Sequence, residues 1–140
     1  MGQKTLLWII SAYDRDCRLD SINLNKLSEL ANQNDYNVEF VILTTESILQ
    51  NREMPISTDI NYQVKVYNEK FKINSAIMKT IEKVNYDNIF VTNFKYVAEF
   101  ELIDNMLYKS NEQNVNFVHI QKSHKGFFVE AHKMIKGIYN

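Results

Sequence analysis

Cysteine, proline and glycine are scarce in this chain of 140 residues, which contains one cysteine, one proline and three glycines. The single cysteine, Cys17, excludes an internal disulfide and any cluster of cysteine ligands around a metal ion. A lone free thiol is typical of proteins from a reducing cytosol. So few prolines and glycines leave no stretch with the composition of a flexible linker. We therefore expect one domain over residues 1–140, located in the cytoplasm.

Long apolar runs and an excess of charge of one sign are also missing. No stretch approaches the roughly 18 uninterrupted apolar residues of a membrane-spanning helix, so we expect the chain to be at most peripheral on the inner face of a membrane. The formal net charge of −1 gives no general attraction to nucleic acid. The three histidines and one cysteine lack the spacing of a metal site. The sequence thus predicts neither nucleic-acid binding nor a bound metal.

Apolar and aromatic residues are plentiful, at 45% and 12% of the chain, which is enough to fill a core. Short apolar runs rich in β-branched residues indicate buried strands, and apolar residues at intervals of three and four indicate helices. Residues 62–67 alternate in polarity and predict a strand at a sheet edge or with one wetter face. The predicted strands cover residues 6–12, 38–43, 62–67, 88–91 and 115–120.

Three helices are expected between these strands. Asp20 or Ser21 can cap the first of them. Their apolar stripes consist of Leu24, Leu27 and Ala31, then Ile73, Ile77, Ile81 and Val84, and then Phe100, Ile103 and Leu107.

The alternation of strands and helices predicts an α/β fold, a three-layer α/β/α domain whose mainly parallel sheet is joined by right-handed crossovers. In such sheets, ligands bind beyond the carboxyl ends of the strands. This rule places residues 11–16, 44–47 and 92–96 along one edge of the sheet.

Six segments of the chain, in this order, match those of a known family. They are residues 11–16 (SAYDRD), 39–47 (EFVILTTES), 69–73 (EKFKI), 93–95 (NFK), 101–107 (ELIDNML) and 122–140 (KSHKGFFVEAHKMIKGIYN). On these positions the chain resembles the GT-A catalytic domain of the family-2 glycosyltransferases. The branch it resembles includes dolichyl-phosphate mannose synthase and the bactoprenol glucosyltransferases. The fourth segment takes the place of that family's aspartate-alanine-aspartate metal motif.

The resemblance implies a GT-A fold that binds a nucleotide sugar and transfers the sugar to a polyprenyl phosphate at a membrane. It also implies Mg²⁺ or Mn²⁺ held by the carboxylates of the metal motif. Residues carried over from the family's motifs become nucleotide-binding candidates in this chain. They are Ala12, Tyr13, Asp14, Asp16, Thr44, Thr45, Lys72, Asn93 and Lys95.

The departures from the family pattern fall on its charged groups. Asn93 and Lys95 stand where the metal-binding aspartates would be, and Mg²⁺ or Mn²⁺ needs hard oxygen ligands that a lysine does not supply. Thr44 and Thr45 replace a second pair of aspartates and cannot ionise. Lys95 either replaces the cation at a diphosphate or is a solvated residue at a strand end. We expect no cofactor, and no catalytic residue is assigned.

The C-terminal segment 122–140 is predicted to form a basic amphipathic helix. Such a helix suits the surface of an anionic membrane or a partner protein, and the alternative is a terminal helix packed on its own domain. The residues assigned to this surface are Lys122, Lys125, Phe127, Phe128, Lys133 and Lys136.

Three functions remain open from the sequence. The first is a catalytically degenerate GT-A-like protein that binds a glycosyltransferase partner or a membrane in surface-polysaccharide or lipid-linked sugar synthesis. The second is an active, metal-independent glycosyltransferase with a nucleotide-sugar donor. The third is an unrelated α/β binding module. A nucleotide or nucleotide sugar is the expected small ligand, and self-association into a homo-oligomer stays open.

Overall fold

The computed structural model describes residues 3–14, 16–50, 53–82, 85–95, 97, 99–112, 117–123 and 126–132. A short 3-10 helix, Leu19–Ser21, precedes the first α-helix. The other elements, in chain order, are β1 Lys4–Ala12, α1 Leu24–Gln33, β2 Tyr36–Thr45, α2 Glu46–Leu49, β3 Tyr62–Tyr67, α3 Ile73–Glu82, β4 Asn88–Asn93, α4 Phe100–Glu112, β5 Phe117–Ser123 and β6 Gly126–His132.

The strands form one sheet in the order β3-β2-β1-β4-β5-β6. The pairs β3–β2, β2–β1, β1–β4 and β4–β5 are parallel, and β6 is antiparallel to β5. Helices cover both faces of this sheet, so the predicted three-layer α/β/α architecture with a mainly parallel sheet is confirmed. The predicted edge position of residues 62–67 is also confirmed, because β3 ends the sheet.

Side chains of β1 alternate between two apolar clusters, one on each face of the sheet. Leu6, Trp8 and Ile10 point to the face covered by α1 and α4, which we call the Trp8 face. Leu7 and Ile9 point to the face covered by α3, which we call the Leu7 face. A central strand that is covered on both sides must be apolar at every position, which explains the continuous run in residues 6–10.

The start of α1 differs from the prediction. Asn23 caps the helix, and its side-chain oxygen accepts a hydrogen bond from the backbone N–H of Lys26. Asp20 and Ser21, the predicted caps, lie in the preceding 3-10 helix. Asparagine is as good an N-cap as aspartate or serine, so sequence preference alone could not choose between these neighbouring positions.

The hand of one connection also differs from the prediction. From β1, α1 leads to β2 across the Trp8 face. From β3, α3 leads back in the opposite direction to β4 across the Leu7 face, and this connection has the same hand. Helix α4 continues in that direction to β5 but lies on the Trp8 face. The connection β4–α4–β5 therefore has the opposite hand, and right-handed crossovers cannot hold throughout.

The contacts of α4 fix this unusual position. The side-chain amide of Asn34, at the end of α1, donates a hydrogen bond of 3.2 Å to Asp104 on α4. Ile103, Met106 and Leu107 pack in the same cluster as Trp8. Because α1 and α4 share one face, the chain leaves β1 and β4 toward the same side. The two segments that follow these strands therefore lie next to each other at the carboxyl edge.

The predicted C-terminal helix is wrong where the structure describes this segment. Gly126–His132 is strand β6, paired with β5 in the register Ser123↔Gly126 to Phe117↔His132. The run GFFVEA is rich in residues that favour strands, and only two residues separate it from β5, which suits an antiparallel hairpin. Lys125, Lys133 and Lys136 lie outside the described residues, Lys122 is in β5, and Phe127 and Phe128 are in β6.

Candidate functional site

The carboxyl edge of the sheet brings together the residues that the sequence assigned to a nucleotide site. Ser11 of β1 pairs with Asn93 of β4 on one side, and Ala12 pairs with Thr44 of β2 on the other. Tyr13 and Asp14 follow β1 directly. The strand order reverses at β1, and ligands of α/β sheets bind beyond the carboxyl ends of the strands. We call this region the carboxyl edge.

The segment Asn93-Phe94-Lys95 makes a tight turn at the end of β4. The side-chain oxygen of Asn93 accepts a hydrogen bond of 3.0 Å from the backbone N–H of Lys95. The N–H of Phe94 donates to the carbonyl of Ser11 at 2.8 Å, and the Phe94 ring is buried against the Trp8 cluster. Asparagine commonly bonds the backbone two residues ahead in this way. The turn thus leaves the Lys95 side chain at the surface of the edge.

The ammonium group of Lys95 lies 3.4 Å from the carboxylate of Asp14. The side chain of Lys95 is 51% exposed and that of Asp14 is 32% exposed. Asp14 follows β1 and Lys95 follows β4. The ion pair therefore connects the two segments that turn toward the Trp8 face. The lysine therefore balances the negative charge of Asp14 at this edge.

A divalent cation does not fit this set of groups. The side-chain oxygen of Asn93 already accepts a hydrogen bond from the Lys95 N–H, and the Asp14 carboxylate faces the ammonium group of Lys95. Mg²⁺ and Mn²⁺ require several oxygen ligands free of such a neighbour. Among the described residues, no group of three or more His, Cys, Asp or Glu side chains has the arrangement of a metal site.

Three of the predicted nucleotide-binding residues are buried at this edge. Ala12 and Thr44 have no exposed surface, and Thr45 has almost none. The Thr44 hydroxyl donates a hydrogen bond of 2.6 Å to the carbonyl of Ala12, and the Thr45 hydroxyl lies 3.3 Å from that of Ser47. These hydroxyl groups connect β1, β2 and α2 to one another. They therefore stabilise the carboxyl edge from inside and are not exposed to a ligand.

An aromatic group lies on the Leu7 face of the same edge. The Tyr13 ring meets the Phe71 ring edge-on at 5.8 Å, and Phe71 stacks on Tyr67 at 4.8 Å. Tyr13 remains 37% exposed. Lys72 is exposed directly before the first residue of α3. Tyr67 and Phe71 were not predicted as site residues, although an aromatic residue at a strand end and another just before a helix were visible signals in the sequence.

The turn after β1 also buries the single cysteine. The backbone N–H of Cys17 donates to the carbonyl of Asp14 at 2.9 Å. Burial, and then the negative charges of Asp14, Asp16 and Glu53, raise the pKa of the Cys17 thiol to about 12. Asp16 is exposed in this turn. The thiol is therefore protonated at neutral pH and is a poor nucleophile.

A concave region lies on the Leu7 face, away from the predicted site residues. It is a groove of about 440 Å³ between α3 and the strands β2 and β3, and its lining includes Glu39, Lys65 and Tyr86. The Tyr86 hydroxyl donates a hydrogen bond to the Glu39 carboxylate. Burial, and then this carboxylate, raise the pKa of Tyr86 to about 12. None of the predicted site residues lines this groove.

Comparison with known proteins gives no match to a family model, a curated protein or a solved structure. The resemblance to family-2 glycosyltransferases therefore stays a hypothesis that depends on the ordered segments and on the site described above. In the part of the chain that the structure describes, no helix is long and apolar enough to cross a membrane.

The ion pair at the edge should contribute little to stability, because both of its side chains are substantially exposed. We expect Lys95→Ala and Asp14→Asn each to change the free energy of unfolding by less than about 0.5 kcal/mol. Urea denaturation of both variants and of the double variant gives the coupling energy between the two residues. A coupling energy above about 1 kcal/mol would show that the pair stabilises the fold rather than only setting the charge of the edge.

Proposed function

We propose that this protein is a catalytically degenerate GT-A-like domain that acts as a binding or regulatory partner in surface-polysaccharide or lipid-linked sugar synthesis. The observation that supports this proposal is the ion pair between Lys95 and Asp14, 3.4 Å long, at the place of the family's metal motif. The third function left open by the sequence, an unrelated α/β binding module, receives no comparable support from any one contact.

Charge compensation is the reason that this ion pair matters. Transfer of a sugar from a nucleotide diphosphate leaves a diphosphate whose growing negative charge must be neutralised, usually by a metal ion. At this edge, the positive charge of Lys95 is already balanced by Asp14. Catalytic groups that act as one unit lose most of their rate when members are replaced. A domain with this edge can keep the ligand surface of the fold while lacking the transfer reaction.

The ligand surface that remains is aromatic and basic. The Tyr13 ring, which Phe71 contacts edge-on, is exposed, and so is Lys72, the residue after Phe71. A ring and an ammonium group suit the base and the phosphate of a nucleotide. A nucleotide or nucleotide sugar is therefore the small ligand in this proposal, and the protein is placed in the cytoplasm. Contact with a glycosyltransferase partner or the inner membrane face is proposed through the β5–β6 end of the chain and residues 133–140.

A second candidate is an active, metal-independent glycosyltransferase in which Lys95 replaces the ion. The exposure of the Lys95 side chain, 51%, favours this candidate, because the ammonium group could leave Asp14 and contact a diphosphate. The two candidates share the ligand but differ in what Lys95 does.

Calorimetry with UDP and uridine, each with Mn²⁺ or with EDTA, tests the proposal. We expect UDP to bind equally well in both conditions and UDP-glucose to remain unhydrolysed. Lys95→Ala should leave UDP affinity within about twofold, as should the control Lys79→Ala on the exposed side of α3. A charge-assisted contact is worth about 1.5–3 kcal/mol, which is about tenfold or more in affinity. If Lys95→Ala lowers the affinity for UDP by that factor and leaves the affinity for uridine unchanged, the result favours the second candidate.

Two other results would go further. Hydrolysis of UDP-glucose that survives EDTA and disappears in Lys95→Ala would establish the second candidate. Tight binding of UDP that requires Mn²⁺ would contradict both, because it would mean that carboxylates other than the family's hold an ion.

A further inference from the structure

Strand β3 ends the sheet with an open edge. It pairs with β2 on one side, and the described residues place no strand on its other side. Its sequence, YQVKVY, contains no proline and no glycine and carries one charge, Lys65. Proteins usually protect such an edge with proline, bulges, a very short strand or charged side chains, because its unpaired N–H and C=O groups can bind another strand. Of these features, the six-residue β3 has one charged side chain, that of Lys65. β3 is therefore available for pairing.

The two faces of β3 differ in polarity. Register with β2 places Tyr62, Val64 and Val66 on the Trp8 face, opposite Phe40, Ile42 and Thr44. Tyr62 and Val64 pack against the Trp8 cluster, and Val66 remains 41% exposed. Gln63 and Lys65 fall on the Leu7 face. A strand that adds to this edge must therefore present apolar residues on the Trp8 face and, on the Leu7 face, an uncharged or acidic residue opposite Lys65.

A second copy of the same chain can meet this requirement in a restricted set of registers. Two identical strands can pair antiparallel around a twofold axis that is perpendicular to the sheet, and residues directly opposite each other then have their side chains on the same side of the sheet. This condition is met only when the axis lies midway between a residue and the same residue of the second copy. Within β3, an axis at Val64 pairs residues 62–66 of the two copies, and an axis at Lys65 pairs residues 63–67. Every other axis of this kind pairs fewer than five residues of each strand.

Charge decides between these two registers. An axis at Lys65 sets the two Lys65 side chains directly opposite each other, and like charges in that position are destabilising. An axis at Val64 sets Val64 opposite itself, Tyr62 opposite Val66, and Gln63 opposite Lys65. Aromatic and β-branched residues make favourable cross-strand pairs, and the glutamine oxygen can accept a hydrogen bond from the lysine.

We propose that the protein forms a twofold dimer in which the β3 strands of two copies pair antiparallel with Val64 on the axis. The sheet then continues across both copies, and the exposed Val66 side chain is covered by the partner's Tyr62. This inference depends on the edge strand alone and is independent of the proposed function, since the carboxyl-edge residues take no part in the pairing.

Cysteine variants test the register. Val64→Cys should form a disulfide-linked dimer under mild oxidation, because directly opposite residues have Cβ atoms about 4.5–5.5 Å apart, near disulfide range after a small adjustment. Val66→Cys should not link to itself, since its two copies would be about 13 Å apart along the strand. A mixture of Tyr62→Cys and Val66→Cys should link. The native chain, whose Cys17 is buried, is the control.

Sedimentation equilibrium of charge variants tests the pairing without a cross-link. Gln63→Lys should weaken dimerisation about tenfold, because it sets two lysines opposite Lys65 in two symmetric pairs. Adding Lys65→Glu to that variant should restore dimerisation, since each pair then joins opposite charges. Both substitutions lie on an exposed edge, so circular dichroism should show an unchanged fold.

A monomeric native protein throughout the concentration series would overturn the proposal. So would a Val66→Cys variant that cross-links to itself as readily as Val64→Cys, because that result requires another register. Equal dimerisation by Gln63→Lys and the native protein would also contradict it.

Discussion

Replacing Trp8 with alanine is expected to lower the free energy of unfolding by about 3–5 kcal/mol. Trp8 lies in the middle of the central strand and has no exposed surface. Its ring centre is 5.5 Å from those of Phe40 and Phe90, and its indole N–H donates a hydrogen bond of 3.0 Å to the hydroxyl of Thr92. The substitution removes these contacts from three strands at once. Because domains are stable by only about 5–15 kcal/mol, this loss is a large fraction of the total stability.

Two comparison variants separate packing from the hydrogen bond in this test. Trp8→Phe keeps an aromatic ring in the site but loses the N–H, so its loss should be clearly smaller than that of Trp8→Ala. Tyr13→Ala removes a ring of similar size that is partly exposed, and it should cost about 1 kcal/mol. Urea denaturation monitored by circular dichroism gives all three values. A loss below about 1.5 kcal/mol for Trp8→Ala would mean that Trp8 is not a central part of the core.

The parts of the fold that the sequence predicted well are those that local pattern determines. The apolar run of β1 and the stripe Leu24, Leu27 and Ala31 of α1 each belong to one element, and burial on a sheet face or helix side fixes their period. In the predicted α4 stripe Ile103 and Leu107 are buried but Phe100 is exposed, and Val84 of the predicted α3 stripe lies outside the described residues. The segment 126–132 could not be assigned in the same way. Its apolar residues fit both a helix and a strand, and pairing with β5 decides between them. That pairing depends on two segments together and is not visible in either one alone.

In the candidate site, too, the features set by local sequence were predicted and those set by the packing of distant segments were not. Asn93, Asp14 and Thr44 were predicted to share an edge because the carboxyl ends of parallel strands always meet there, and the register confirms this placement. The partner of Lys95 was not predicted. The ion pair with Asp14 exists because α4 lies on the Trp8 face, which brings the segments after β1 and β4 side by side. The sequence of residues 93–112 alone does not predict that α4 lies on the Trp8 face.

The hydroxyl group of Ser110 joins α4 to β2 and β4, so its removal should be costly. Ser110 has no exposed surface, and its oxygen lies 2.8 Å from the Tyr36 hydroxyl of β2 and accepts a hydrogen bond of 2.8 Å from the Asn88 amide of β4. Burial raises the pKa of Tyr36, while the Ser110 hydrogen bond acts in the opposite direction. The Tyr36 hydroxyl is thus desolvated and dependent on this partner.

Ser110→Ala should therefore lower the free energy of unfolding by about 2–3 kcal/mol, since a buried polar group that loses its partner costs about 1–3 kcal/mol. Ser75→Ala, an exposed serine in α3, is the matched control and should be neutral or slightly stabilising, because alanine is the better helix former. Adding Tyr36→Phe to Ser110→Ala should recover part of the loss, as it removes the hydroxyl left without a partner. Denaturation curves of these variants decide the matter. If Ser110→Ala costs no more than Ser75→Ala, then apolar packing alone keeps α4 on the Trp8 face, and the neighbouring positions of Asp14 and Lys95 do not depend on this hydroxyl.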